Sequence, residues 1–146
     1  MKRTILIAVL AIFTLSASAQ KSEVFISGGK AIKGYDPVAF FKQSKAVRGA
    51  DSLSYEWNNA TWLFASSEDL NAFKAAPEKY APQDGGYCAY GTAYGHKAPT
   101  QTETWTIVND KLYFNYNAKV KETWMKDQPN LIIKADQKWP EVKVQQ

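Results

Sequence analysis

The apolar positions divide the chain into a short leader and a longer body made of brief segments. Met1-Lys2-Arg3 is followed by the apolar run Thr4–Leu15 and then by Ser16-Ala17-Ser18-Ala19. A basic end, an apolar centre and small residues before Gln20 form the pattern of a secretory signal peptide, here residues 1–19, cleaved near Ala19. The run falls short of the roughly 20 residues that cross a bilayer, and no later stretch is apolar enough to do so. No membrane span is expected, and residues 20–146 read as a free periplasmic or secreted protein.

Within the body, apolar residues come in short groups bounded by turn formers. Val24-Phe25-Ile26 and Ala31-Ile32 read as brief extended pieces separated by Gly28-Gly29. Asp36 before Pro37 supplies an N-cap followed by proline at the first helical position, so a short helix with an apolar face is predicted from Pro37. Leu53–Trp57 and Thr61–Ala65 flank Asn58-Asn59, a pair that tolerates positive φ, which predicts a β-hairpin. Ser66 with Asp69 three residues on starts a helix that Pro77 should stop. Tyr87–Tyr94 reads as another short helix, whereas His96–Glu103 shows no period. Trp105–Val108, the turn pair Asn109-Asp110 and Leu112–Tyr116 predict a second hairpin. Val120–Lys126 and Asn130–Ala135 read as short helices separated by Pro129. The predicted fold class is α+β, a small antiparallel sheet of hairpins with short helices packed on it.

Composition sharpens this picture in two ways. The 146 residues include five Trp, eight Tyr and seven Phe, one of which, Phe13, lies in the leader. Such rings bury roughly 150–250 Å² each, so a body of this length has ample material for a single core and is read as one domain over residues 20–146. The formal net charge of +4 falls by two when Lys2 and Arg3 leave with the leader. No segment concentrates Lys or Arg, so a nucleic-acid footprint is not expected.

The lone cysteine, Cys88, excludes an internal disulfide and leaves a thiol to explain. It follows Gly85-Gly86 and opens the predicted helix, where backbone N–H groups would stabilise a thiolate and lower its pKa. His96, the only histidine, lies eight positions later. A thiolate and an imidazole suit a soft ion of low coordination, so Cys88 and His96 are candidate ligands for Cu(I). Structural zinc needs four ligands, which this spacing does not supply. Met125 is either a third soft ligand or core filler. Tyr35, Tyr87, Tyr90 and Tyr94 are candidates to line a pocket beside Cys88, or else ordinary core. Gly85-Gly86 ahead of a helix offers an anion cradle on weak grounds, and Asp36 is explained by its capping role.

Several motifs in order carry a resemblance. Gly34-Tyr35-Asp36-Pro37-Val38-Ala39-Phe40-Phe41, the Tyr55…Trp62-x-Phe64 hairpin, Phe73-x-x-x-Pro77-x-Lys79-Tyr80 and Gly86-Tyr87-Cys88-Ala89-Tyr90-Gly91 together resemble the exported bacterial branch of the YHS-domain family, over about residues 32–116. Short members of the wider family, which resembles TRASH-type metal modules, carry cysteines that would fall on Ala39, Ala65 and Asp69. Those soft ligands are absent here, and an alanine methyl coordinates nothing. The resemblance implies a fold and a setting beside metal-handling or redox proteins, and it names no reaction. Three functional readings stay open: a binding module for a soft metal such as Cu(I) at Cys88 and His96, a thiol-dependent redox or nucleophilic enzyme using Cys88, and a structural or protein-interaction domain without a metal.

Overall fold

The computed structural model describes residues 22–146, so the predicted leader, residues 1–19, lies outside the described residues. The described residues form three hairpins with six short helices placed between and after them, which is the α+β class. The strands are β1 (Ile26–Ser27) with β2 (Lys30–Ala31), β3 (Ala50–Trp57) with β4 (Ala60–Phe64), and β5 (Gln101–Val108) with β6 (Lys111–Asn115). Each antiparallel pair is its own two-stranded sheet. All three turn on two residues at positive φ: Gly28-Gly29, Asn58-Asn59 (50° and 57°) and Asn109-Asp110 (51° and 60°). Such turns match the right-handed twist of the strands they join, and Gly, Asn and Asp adopt them at least cost.

Side-chain caps start four of the six helices among the described residues. Asp36 Oδ1 accepts from Val38 N at 2.8 Å and Ala39 N at 3.3 Å, opening α1 (Pro37–Lys42). Ser66 Oγ accepts from Asp69 N at 3.1 Å, opening α2 (Ser67–Ala75). Pro77 stops α2 and also begins α3 (Pro77–Tyr80), since a first helical position needs no N–H. α4 (Ala89–Ala93) is capped by Cys88, α5 (Ala118–Met125) by Asn117, and α6 spans Gln128–Val142.

Two expectations are corrected. Residues 101–103 belong to β5, whose inward positions Thr102 and Thr104 are buried. Threonine hides the apolar alternation there, and Thr104 Oγ1 is satisfied by donating to the Asn115 carbonyl at 2.9 Å. Pro129 stands in the first turn of α6, where proline is tolerated, and the helix continues through Pro140.

The core has two parts. In the first, Phe73 of α2 is fully buried, with ring centroids 5.1 Å from Phe64, 5.2 Å from Trp62 and 5.8 Å from Trp57. Phe40 of α1 meets the edge of Phe114 at 5.3 Å, joining the third hairpin to this cluster. In the second, α4, α5 and α6 pack Ala89, Ala93, Trp124, Leu131 and Ala135 against Tyr113 of β6. Gly85 lets the N-terminal segment lie down on this frame: any Cβ there would collide with the Glu23 carbonyl oxygen, and Gly85 O accepts from Phe25 N at 2.8 Å. Among the described residues no helix is long and apolar enough to cross a membrane.

Candidate functional site

Cys88 occupies the N-cap of α4, as its position after Gly85-Gly86 suggests, but the residue is only 1% exposed. Sγ accepts from Tyr116 N at 3.3 Å and Gly91 N at 3.5 Å, and it donates to Asn115 Oδ1 at 3.5 Å. The N–H groups act in the expected direction and favour a thiolate. Burial outweighs them, however, and the Asp84 carboxylate adds to it, so the thiol pKa is raised instead of lowered. The expectation of an activated thiol is thereby corrected: desolvation is the larger effect.

The His96 imidazole is exposed and returns over the first turn of α4, with Nε2 3.3 Å from where a Cβ on Gly91 would stand. Its backbone N–H donates to Gly91 O at 3.1 Å, which closes the helix end. The four tyrosines divide among three places. Tyr35 packs beneath the Arg48 guanidinium, 5.1 Å from ring to charge. Tyr87 is buried against Phe25, donates to Ser22 O at 2.7 Å and lines a recess of about 230 Å³ with Lys97 and Pro99. Tyr90 and Tyr94 lie against each other, centroids 4.9 Å apart. Met125 is 54% exposed, so it does not fill the core. Among the described residues no group of three or more His, Cys, Asp or Glu side chains is arranged to hold a metal ion.

Ala39, Ala65 and Asp69, the positions singled out by resemblance, do converge. They surround the Asp36 carboxyl group, which takes the Ala39 and Ala65 amides and meets the Asp69 side chain. Asp36 is fully buried and Asp69 nearly so. Burial first, then the hydrogen bond and charge of Asp69, raises the Asp36 pKa to about 6. Asp69 Oδ2 has no hydrogen-bond donor among the described residues.

A second buried acid was not singled out in the sequence. Asp84, in the turn before Gly85, is 6% exposed and sits at φ 54°, and its Oδ2 has no hydrogen-bond donor among the described residues. Burial, reinforced by Asp136, raises its pKa to about 7. Asp84 lines a cleft of about 350 Å³ together with Trp57, Trp62, Trp139, Glu23 and Glu78. The indoles come from β3, β4 and α6, so no local motif could announce the site. The available signal was an acid between Pro82 and Gly85-Gly86, where the chain must turn tightly. An aromatic concavity holding an unpaired, pKa-shifted carboxyl group has the physical marks of a ligand site. Comparisons with family models, with curated proteins and with solved structures found no match to this chain.

Proposed function

We propose that the protein is an exported binding module whose ligand occupies the cleft walled by Trp57, Trp62 and Trp139. One observation carries this reading: Asp84 Oδ2 is buried without a donor at a cleft of about 350 Å³. A buried polar atom left unpaired costs roughly 1–3 kcal/mol, and a bound ligand that donates to it recovers that cost. The volume lies in the range of small-ligand pockets. Titration of the labelled protein with small neutral, anionic and cationic aliphatic compounds, followed through the indole N–H resonances, tests the reading. Saturable shifts at Trp57 and Trp139 that vanish in Trp139→Ala are expected. A set in which no compound gives saturable shifts would overturn it.

A second reading, a soft-metal site holding Cu(I) at Cys88 and His96, draws support from the imidazole lying over Gly91, whose amide contacts Sγ. A metal there would displace the Asn115 contact and the proton that burial holds on the sulfur. Competition with a chromophoric Cu(I) chelator tests it. One Cu(I) per chain, lost in Cys88→Ala and weakened in His96→Ala, is expected, and binding unchanged in Cys88→Ala removes the reading.

A further inference from the structure

The lining of the cleft specifies the charge of what it holds. Its ionisable members are Glu23, Glu78 and Asp84, and no lysine, arginine or histidine is among the lining residues. Three indole rings complete the walls. Indole faces carry negative electrostatic potential and attract cations, while they offer an anion nothing. An anionic ligand would meet three carboxyl groups with no counter-charge. A neutral ligand would draw no attraction from the Glu23 and Glu78 charges. A quaternary ammonium would satisfy the charge but bring no donor to Asp84 Oδ2.

We propose that the cleft binds a small alkylammonium ion, its N–H directed to Asp84 and its methylenes against the indoles of Trp57 and Trp139. The inference rests on the cleft being the ligand site. The charge acting on Asp84 is Asp136 from α6, Glu23 and Glu78 line the same cleft, and Tyr113 and Cys88 each have a pKa raised in part by Asp84. No cation opposes these groups among the residues that line the cleft. Since burial and Asp136 hold Asp84 partly protonated near neutrality, an arriving ammonium displaces its proton. Binding is therefore coupled to proton release, and affinity rises as pH climbs through about 7 while the amine itself stays charged.

The experiment uses n-butylammonium, with 1-butanol and butyrate as the neutral and anionic counterparts of similar size. Calorimetry in two buffers of different ionisation enthalpy, near neutral pH, counts the protons released. The expected result is saturable binding of butylammonium, at least about tenfold tighter than butanol. A fractional proton should be released per ammonium bound, and both effects should be lost in Asp84→Asn, a substitution of equal size that suits the positive φ. Equal binding of butanol and butylammonium, or proton release unchanged in Asp84→Asn, would overturn the inference while leaving the cleft a ligand site. Butyrate binding alone would do the same. Failure of all three compounds to bind would overturn the inference, and the cleft reading falls only if the broader set also fails.

Discussion

The amide of Ala65 donates to Asp36 Oδ2 at 2.8 Å, a bond that ties the residue following β4 to the cap of α1 across 29 positions of sequence. The same carboxyl group takes the Val38 and Ala39 amides through Oδ1, so one side chain satisfies three backbone donors. Asp36→Ala leaves those donors without their acceptor and uncaps α1, and a loss of about 2–4 kcal/mol in urea unfolding is expected. A loss below about 1 kcal/mol would mean that water replaces the carboxyl group, and that the cap does not organise this corner.

Stability should fall as pH rises through the window set by the buried acids. Asp84 is raised to about 7 and Asp36 to about 6, from an unperturbed value of 3.8 for each. Above 3.8 the unfolded chain releases these protons while the folded chain retains them, so the folded state loses ground until pH passes the folded values. Other carboxyl groups also titrate, and the informative quantity is the difference between wild type and Asp84→Asn. That difference should shift in favour of the variant by a few kcal/mol between about pH 5 and about pH 8, read from melting curves. A pH-independent difference would show that Asp84 is ionised in the folded protein throughout.

For Cys88, the bonds to Sγ predict an order among substitutions. Alanine removes the acceptor of the Gly91 and Tyr116 amides and the donor to Asn115, whereas serine retains all three roles. Cys88→Ala is expected to cost about 1–3 kcal/mol and Cys88→Ser less. The native thiol, raised in pKa and sealed, should react with a disulfide reagent far more slowly than the thiol of the urea-unfolded chain. Native reaction at the unfolded rate would favour the thiol-enzyme reading.

Those outcomes also mark where sequence reasoning succeeds and where it stops. Asp36-Pro37, Asn58-Asn59, Ser66 and Asn109-Asp110 act through neighbours a few residues away, so their turns and caps were legible. Cys88 as a cap of α4 was legible for the same reason. Its protonation was not, because the balance between helix N–H groups and burial depends on Asn115, the last residue of β6, and on Tyr116 just after it, both of which contact the sulfur. The cleft was invisible on similar grounds. Trp57 and Trp62 lie in the second hairpin and Trp139 in α6, and only the fold sets them around one open space. Tyr90 and Tyr94, one helical turn apart, pair with each other and line no shared pocket with Tyr35 or Tyr87.

Lys97 holds the two ends of the described chain together, and the last prediction concerns it. Its Nζ donates to Lys143 O at 2.8 Å, Gln145 O at 3.1 Å and Ser22 O at 3.3 Å, and it stands 5.3 Å from the Tyr87 ring centroid. The Tyr87 hydroxyl donates to the same Ser22 carbonyl at 2.7 Å. A cation at the C-terminal end of α6 meets carbonyls with no further intrahelical partners and the negative end of the helix dipole, both favourable. Lys97→Met keeps most of the aliphatic stem and removes the charge and its donors. The Lys143 and Gln145 amides, which donate to Trp139 O and Val142 O, should then exchange at least about tenfold faster with deuterium, because opening of this turn costs less. Amides of α2 around Phe73 should be unaffected, since that cluster is built from other elements. Unchanged exchange at Gln145 would place the hold on the C-terminal turn elsewhere, with α6 packing against α4 as the alternative anchor.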